Sequence, residues 1–222
     1  MDTVKIIELK EDVLANNFEE AEKLRKELKE RNIYLVNVMS SPGSGKTTTL
    51  KSLIEKLKNR YTVGVLEADI DGNVDAIEIA KSGVKAVQLH TGGMCHLDAS
   101  MTRRGIRELG GGIQLIFLEN VGNLVCPAEY DTGAQCNMTI LSVPEGDDKP
   151  QKYPLIYQVC DTVVINKVDV MEYFDFDLDW CARSIHIQNP EAKIFKTSAK
   201  TGEGILKLAR WIEERYLMWK EG

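Results

Sequence analysis

The sequence has no excess of basic residues: among its 222 residues, 28 Lys and Arg stand against 34 Asp and Glu, and the formal net charge is −6. Binding to nucleic-acid phosphates requires clustered Lys and Arg, so we expect no nucleic-acid partner. The chain also lacks an apolar run near the ~20 residues that a membrane-spanning helix needs, and its first residues lack the basic-then-apolar order of a signal peptide. We therefore expect a cytoplasmic protein that makes no membrane contact.

Cysteine is scarce and odd in number, with five residues, and there are three histidines. A disulfide framework needs paired cysteines and an oxidising compartment, so we expect reduced thiols, some of them free to bind metal. Three cysteines are interpreted as structural: we predict Cys136 in a loop, and Cys160 and Cys181 in a helix or the core. Two histidines, His90 and His186, are also interpreted as structural.

The chain length and a hydrophobic content of 43% predict one sizeable core. Residues 16–32 are charged and rich in helix formers, and they carry apolar side chains at helical spacing: Phe18, Ala21, Leu24 and Leu28. We predict that residues 1–31 form an amphipathic helical extension packed on the domain, with Asn16 or Asn17 as N-cap. Residues 32–222 are predicted to form the main domain.

Beyond residue 32, short apolar and β-branched runs alternate with segments of helical periodicity. Such runs are typical of strands buried on both faces of a parallel sheet. The predicted strands cover residues 33–39, 61–68, 84–89, 113–119, 138–143, 161–166 and 192–198. The predicted helices cover residues 47–59, 73–82, 98–109, 150–158, 175–188 and 203–219. This alternation predicts a doubly wound α/β fold with a mostly parallel sheet, which binds its ligand at the carboxyl ends of the strands.

The stretch SSPGSGKTT, residues 40–48, lies between a predicted strand and a predicted helix, the context of a phosphate-binding loop. Lys46 is predicted to reach the β- and γ-phosphates, and the hydroxyl of Thr47 to bind Mg²⁺. The first Gly of the usual pattern is replaced by Ser40. The predicted nucleotide-binding residues of this loop are Gly43, Ser44, Gly45, Lys46, Thr47 and Thr48.

Two later motifs favour GTP over ATP. In NKVD, residues 166–169, the carboxylate of Asp169 can accept hydrogen bonds from guanine N1–H and the exocyclic amine, which adenine does not present together. Asn166 is predicted to tie the loops together, and the stem of Lys167 to cover one face of the base. The stretch TSAKTGEG, residues 197–204, supplies backbone N–H groups that we predict to donate to guanine O6, those of Ser198, Ala199 and Lys200.

Several acidic residues are candidates for Mg²⁺ and for the attacking water. Glu119 ends a predicted strand and can hold magnesium, while the backbone of Gly122 senses the γ-phosphate. We predict that Asp75 binds the metal or the attacking water, with Asp69 as second choice, so that Lys46, Glu119 and Asp75 form the catalytic set. The alternative for each acid is a solvated loop carboxylate, and the stretch after the second strand also offers Glu67 and Asp71.

A separate transition-metal site is predicted from Cys95 and His96, which are adjacent, and from Cys126 in the loop after the next strand. Thiolate and imidazole ligands suit zinc or nickel. Three ligands do not close a tetrahedral site, and a twofold dimer axis would supply a second set. The alternative for each residue alone is a small buried Cys or a hydrogen-bonded loop His.

The stretches SSPGSGKTT, TGGMCHLDA, ENVGNLVCPA, SVPEGDDKP, NKVD and SAKTGEG, in this order, closely resemble the HypB family of hydrogenase-maturation GTPases. The resemblance spans nearly all of the chain after the first helix. It implies a P-loop NTPase fold of the SIMIBI class, hydrolysis of GTP with Mg²⁺, and a homodimer with nickel or zinc at an interface site built from Cys95, His96 and Cys126. It also implies that other hydrogenase-maturation proteins and the hydrogenase large-subunit precursor are partners. Some members carry an N-terminal Cys-rich or His-rich nickel site, which the residues before Tyr34 lack, so we expect no N-terminal nickel store.

Cys126 follows Glu119 by seven residues, so the phosphate-sensing turn and a metal ligand share a loop that spans at most ~25 Å. We expect GTP binding to favour the dimer and to alter metal affinity, with a coupling free energy of ~1–3 kcal/mol, and hydrolysis to release the metal. Lys149 or Lys152 is a candidate contact to nucleotide across the dimer, although we favour a solvated loop. The alternatives are a metal-independent assembly GTPase, a metal-storage protein and a urease-type nickel GTPase.

Overall fold

The computed structural model describes residues 9–69 and 78–222. The strands of the described part are β1 (Tyr34–Ser40), β2 (Val63–Asp69), β3 (Lys85–His90), β4 (Leu115–Glu119), β5 (Cys136–Ser142), β6 (Thr162–Asn166) and β7 (Lys193–Lys196). Its longer helices are α1 (Leu9–Glu30), α2 (Lys46–Leu57), α3 (Ala99–Leu109), α7 (Leu178–Gln188) and α8 (Ile205–Glu221), and its short helices are α4 (Cys126–Glu129), α5 (Lys149–Lys152) and α6 (Pro154–Gln158). No helix in the described ranges has the length and apolarity to cross a membrane.

The seven strands form one sheet in the order β3-β2-β4-β1-β5-β6-β7, and every pairing is parallel. Neighbouring residues of β1 face opposite layers: Val36 packs with α2 and α8, whereas Leu35 packs with α1 and α3. Helices therefore cover both faces, as the alternating sequence pattern predicts, and the doubly wound α/β P-loop fold is confirmed. The predicted helix over residues 73–82 lies largely outside the described residues.

The first helix differs from its prediction in two respects. It extends back to Leu9, so Asn16 and Asn17 lie inside it and neither is its N-cap. A cap requires the helix to begin there, and the residues upstream contain no Gly or Pro that would stop it. Phe18, predicted on the buried face, is 60% exposed. The buried contacts come from the other three predicted residues, Ala21, Leu24 and Leu28.

Asn17 nonetheless accepts a hydrogen bond from the start of a different helix, whose N-cap is Asp98. The side chain of Asn17 is 9% exposed, and its Oδ1 accepts a hydrogen bond from the backbone N–H of Ala99, the first residue of α3, at 3.2 Å. Arg25 of α1 donates two hydrogen bonds to Asp131, at 2.6 and 2.8 Å. Helix α1 therefore contacts two segments that flank the predicted metal ligands, one after Cys95 and one after Cys126.

Two other predicted elements are corrected. The single helix predicted over residues 150–158 is divided into α5 and α6 at Tyr153, because Pro154 has no backbone N–H and disfavours the helical conformation of the residue before it. Cys136, predicted in a loop, begins β5 and pairs with Val36 in the sheet register.

Parallel pairing brings the carboxyl ends of the central strands to one edge of the sheet. Val38 of β1 pairs with Glu119 of β4, and Glu119 also pairs with Glu67 of β2. The carboxyl ends of β1, β2 and β4 therefore lie side by side. This edge is where the sequence predicts ligands to bind.

Candidate functional site

The loop between β1 and α2 forms a concave backbone surface at this edge. Gly43 and Gly45 have positive φ values of 77° and 97°, a conformation that side chains with a Cβ rarely adopt. Gly45 precedes α2, and neither a side-chain cap nor an acidic residue occupies the first turn of that helix. The first N–H groups of α2 are therefore placed to receive an anion. A cleft of about 590 Å³ lies over the loop.

Ser40, at the position of the first Gly in the usual pattern, makes hydrogen bonds within this loop. Its Oγ accepts from Ser44 Oγ at 2.6 Å and from Lys46 Nζ at 3.0 Å, and it donates to the carbonyl of Ser41 at 2.8 Å. The side chain of Ser40 is fully buried. The ammonium of Lys46 is therefore held over the loop by a hydroxyl group that a glycine would not supply.

Two buried carboxylates line the same cleft. Thr47 Oγ1 donates to Glu119 Oε1 at 2.8 Å, and Glu119 is 2% exposed. Glu67 lies opposite Glu119 on β2 and is 3% exposed. A hydroxyl and two carboxylates are the oxygen ligands that Mg²⁺ prefers. The sequence offers Glu67 only as one of several candidate acids, whereas the register of β2 places it in the cleft. The two preferred candidates cannot be compared with it, because Asp75 and the side chain of Asp69 lie outside the described residues.

Asn166 joins the three predicted nucleotide motifs. Its Nδ2 donates to the carbonyl of Ser44 at 3.0 Å, and its Oδ1 accepts from Thr197 Oγ1 at 3.2 Å and from the N–H of Ala199 at 3.1 Å. The side chain is 1% exposed, so these bonds fix its position. A Cβ on Gly45 would lie 2.7 Å from Asn166 Nδ2, which makes this contact sensitive to any side chain at position 45.

The remaining residues of the two base-recognition motifs are arranged around Asn166. Lys167 has a left-handed backbone with φ of 63°, and its Nζ donates to the carbonyl of Gly43 at 2.7 Å. Asp169 is half-buried in the 3₁₀ turn Val168–Tyr173. The N–H of Ser198 donates to the carbonyl of Glu203 at 3.1 Å, and that of Ala199 to Asn166. Of the three N–H groups predicted to reach guanine O6, the one of Lys200 is therefore the best placed for a ligand.

The turn after β4 packs against the phosphate loop. Gly122 lines the cleft, and a Cβ at this position would lie 3.0 to 3.2 Å from atoms of Pro42. The two backbones approach so closely that a side chain here would have to displace Pro42 by a few tenths of an ångström. A ligand that displaces this turn must therefore move the loop that continues to Cys126.

The Cys95 and Cys126 side chains lie in contact at the far end of that loop, and both are half-buried. Their contact, together with burial, raises the pKa of the Cys126 thiol, while Asn123 Nδ2, at 3.6 Å from Cys126 Sγ, opposes the shift. Cys95 Sγ lies 3.9 Å from His96 Nδ1. The loops after β3 and β4 thus bring two predicted metal ligands together, with the third adjacent.

His96 is stacked on Tyr130, with ring centroids 3.6 Å apart and planes inclined by 13°. Burial lowers the pKa of His96 and so favours the neutral imidazole that can ligate a metal. Across residues 9–69 and 78–222, no cluster of three or more His, Cys, Asp or Glu side chains has an arrangement that could hold a metal ion. Cys95, His96 and Cys126 therefore need a reorientation of His96, or further ligands, to complete a site.

The other candidates have ordinary structural surroundings. Cys136, Cys160 and Cys181 are buried, and burial raises the pKa of the Cys160 and Cys181 thiols to about 12. Lys149 Nζ lies 3.9 Å from a carboxylate oxygen of Asp148, which Lys152 also contacts. In one chain, both lysines therefore interact with a neighbouring acid at the surface.

Comparison with known proteins gives concordant matches. The family model described as CobW/HypB/UreG, nucleotide-binding domain, matches residues 34–196. The hydrogenase/urease maturation factor HypB of Helicobacter hepaticus is 42% identical over 216 residues, which cover 95% of this chain and 88% of that protein. The crystal structure of HypB from Helicobacter pylori in complex with nickel has a TM-score of 0.87 at 37% identity and covers 91% of this chain and 96% of that one. The GDP complex of the signal recognition particle 54 kDa protein from Aeropyrum pernix, with a TM-score of 0.58 and 14% identity over 88% of this chain and 54% of that one, shares the fold alone.

Proposed function

Since the chain belongs to the CobW/HypB/UreG family, as a relative of the HypB maturation factors, we propose that it is a GTPase that couples GTP hydrolysis to dimerisation and to nickel delivery in hydrogenase maturation. The observation that carries the proposal is the segment from Glu119 to Cys126. Glu119 contacts Thr47 at the phosphate end of the cleft. Cys126, seven residues after Glu119, contacts Cys95. A nucleotide-dependent movement at one end reaches the thiols at the other.

The residues of the cleft fit GTP with Mg²⁺. The backbone of residues 43–48 receives the phosphates, Thr47 and Glu119 hold Mg²⁺ together with Asp75, and Asp169 with Lys200 reads the guanine. The uncapped start of α2 and the two buried carboxylates support this assignment. Bound GTP supplies the phosphoanhydride that is cleaved, and phosphoryl transfer is accelerated mainly by positioning and by charge stabilisation around the metal. The polar groups of this chain perform both tasks.

Nickel is the cargo in this proposal. Cys95, His96 and Cys126 supply thiolates and an imidazole, which suit nickel and zinc. Three ligands from one chain leave the site open, and the equivalent residues of a second copy complete it at a twofold interface. The partly exposed side chains of Met94 and Val125, at 41% and 47%, lie beside the thiols in sequence and supply an apolar rim for such contact. The partners are other maturation proteins and the hydrogenase large-subunit precursor.

Residues 32–222 are proposed as the GTPase domain and residues 1–31 as an N-terminal extension. The extension nonetheless shares the core, since Ala21, Leu24 and Leu28 are buried against the sheet. From Ala21 onward it therefore packs as a layer of the domain.

The test is a Ni²⁺ titration of the pure protein with GDP and with a non-hydrolysable GTP analogue, with the dimer fraction measured by sedimentation. We expect a change in Ni²⁺ affinity of about 5- to 150-fold between the nucleotides, and the reciprocal change in nucleotide affinity. Equal Ni²⁺ affinities in the presence of GDP and of the GTP analogue would refute the proposed coupling between nucleotide and nickel. Cys95→Ala and Cys126→Ala should abolish Ni²⁺ binding, whereas the matched change Cys160→Ala, at a buried thiol outside the site, should not.

The same variants separate the alternatives. If Cys95→Ala and Cys126→Ala leave maturation of the client unchanged, the chain is a metal-independent assembly GTPase. A urease client is a second candidate, favoured by the name of the Helicobacter hepaticus relative, which refers to both hydrogenase and urease. Nickel transfer to each purified precursor, measured side by side, distinguishes these two clients.

A further inference from the structure

The asparagine that follows β4 is fully buried and connects the two ends of the proposed mechanism. Asn120 Oδ1 accepts from the backbone N–H of Leu97 at 3.3 Å and from that of Val121 at 2.9 Å. Its Nδ2 donates to Asn37 Oδ1 at 3.1 Å. Two backbone N–H groups can only be met by the amide oxygen, so the orientation of this amide is fixed by its neighbours.

The backbone around Asn120 belongs to the phosphate end of the cleft. The preceding Glu119 accepts from Thr47, and the N–H of Asn120 donates to the carbonyl of Val38 at 3.0 Å. Two residues later, Gly122 lies against Pro42 of the phosphate loop. A movement of the turn after β4 in response to the bound nucleotide therefore shifts the Cα atom of Asn120 or rotates its side chain.

The side chain of Asn120 reaches the other way, to the loop that carries the first two proposed nickel ligands. Leu97 directly follows His96, and its own side chain is 1% exposed. A buried backbone N–H that loses its acceptor is strongly unfavourable, so the Leu97 N–H follows Asn120 Oδ1. Asn123 acts on the other proposed ligand, since its Oδ1 accepts from the N–H groups of Val125 and Cys126 at 2.7 and 3.4 Å.

We propose that Asn120 is the positioning residue that transmits the nucleotide state from the turn after β4 to the Cys95–His96 loop. The hydrogen bond between Asn120 Oδ1 and the Leu97 N–H is the physical link. This inference rests on the proposed function. It specifies how the nucleotide state reaches Cys95 and His96, by a hydrogen bond rather than along the continuous backbone that leads to Cys126. Loss of the link leaves Cys126 coupled to the nucleotide and uncouples Cys95 and His96.

The test compares the ratio of Ni²⁺ dissociation constants in GDP and in a non-hydrolysable GTP analogue, using Ni²⁺ alone as the probe and the full chain. For wild type we expect a ratio of about 5 to 150. Asn120→Ala should lower the ratio markedly but leave it above one, because Cys126 stays coupled to the nucleotide. Asn120→Asp, which keeps an oxygen facing Leu97, should restore part of it. Asn137→Ala is the matched control: it removes an amide that accepts from Asn37 Nδ2 at 3.0 Å, one step further along the same chain of amides, and should leave the ratio at the wild-type value.

A second measurement needs no variant. Amide hydrogen exchange at Leu97 in wild type, followed by NMR, should differ between the GDP and GTP-analogue states by at least about fivefold, in line with the lower end of the expected coupling. If wild type has a ratio of one, the proposed coupling function fails and this inference fails with it. If wild type is coupled but Asn120→Ala keeps the same ratio, or if Leu97 exchange is identical in both states, the proposed function stands and the role of Asn120 is refuted.

Discussion

The change Gly45→Ala tests whether Asn166 and the phosphate loop are one rigid unit. Gly45 has φ of 97°, and an alanine Cβ there would lie 2.7 Å from Asn166 Nδ2. Holding Ala in this conformation costs ~1–2 kcal/mol. Asn166 is held by bonds to Ser44, Thr197 and Ala199, so it yields only by losing at least one of them, which adds ~1–2 kcal/mol.

Gly43→Ala is the matched control, because Gly43 has φ of 77° but no atom within 4 Å of the added Cβ. It should cost only the backbone strain of ~1–2 kcal/mol. In a chain of this size ~1 kcal/mol lowers the Tm by ~2–4 °C, so Gly45→Ala should unfold ~4–16 °C below wild type and Gly43→Ala ~2–8 °C below.

Thermal unfolding of the nucleotide-free proteins measures both values, and a double-variant cycle isolates the contact. In an Asn166→Ala background, the clash is absent and Gly45→Ala should cost no more than Gly43→Ala does in wild type. Equal Tm values for the two glycine variants, or a cost of Gly45→Ala that is the same with and without Asn166, would refute the reasoning.

Three further changes, one of them paired with a control variant, test α1 and the phosphate loop. Leu24→Ala should destabilise the protein by ~2–5 kcal/mol in urea unfolding, whereas Phe18→Ser, on the exposed side of the same helix, should stay within ~0.5 kcal/mol of wild type. Asn17→Ala should cost ~1 kcal/mol in the same assay, because the buried N–H of Ala99 at the start of α3 loses its acceptor. Ser40→Gly should tighten GTP binding by about 2- to 10-fold in equilibrium titration, since Lys46 no longer gives up a hydroxyl partner to reach the phosphates; unchanged or weaker binding would contradict this.

The layout of the sheet could be read from the sequence because the central strands are buried on both faces. Runs such as residues 33–39 and 113–119 are predominantly apolar, and this is a consequence of parallel pairing between two helical layers. Element ends were less well predicted. The start of α1 and the break before Pro154 depend on local backbone preferences, which a periodicity of apolar residues does not report.

The site was predictable only where its chemistry resides in short motifs. The phosphate loop and NKVD have fixed spacing, so their residues could be named from sequence. The roles of Glu67 and Asn120 depend on sheet register and on contacts between residues distant in sequence, such as Asn120 with Leu97 across 23 positions. The only sequence signal for either was its position at the end of a buried strand. The stacking of His96 on Tyr130 had no local signal.

The segment between His96 and α3 shows why a stability measurement alone would not identify the link to the nucleotide. Two asparagines hold it: Asn17 of α1 accepts from Ala99, and Asn120 accepts from Leu97. Either change to Ala leaves one backbone N–H of this segment without its acceptor, so both should lower the free energy of unfolding, Asn120→Ala by more because its bonds to Val121 and Asn37 are lost as well. Asn17 lies on α1, whereas Asn120 adjoins the phosphate loop through Glu119 and Gly122. Only the loss of Asn120 should therefore change the ratio of Ni²⁺ affinities between nucleotide states, and the pair of variants separates a residue that holds the loop from one that moves it.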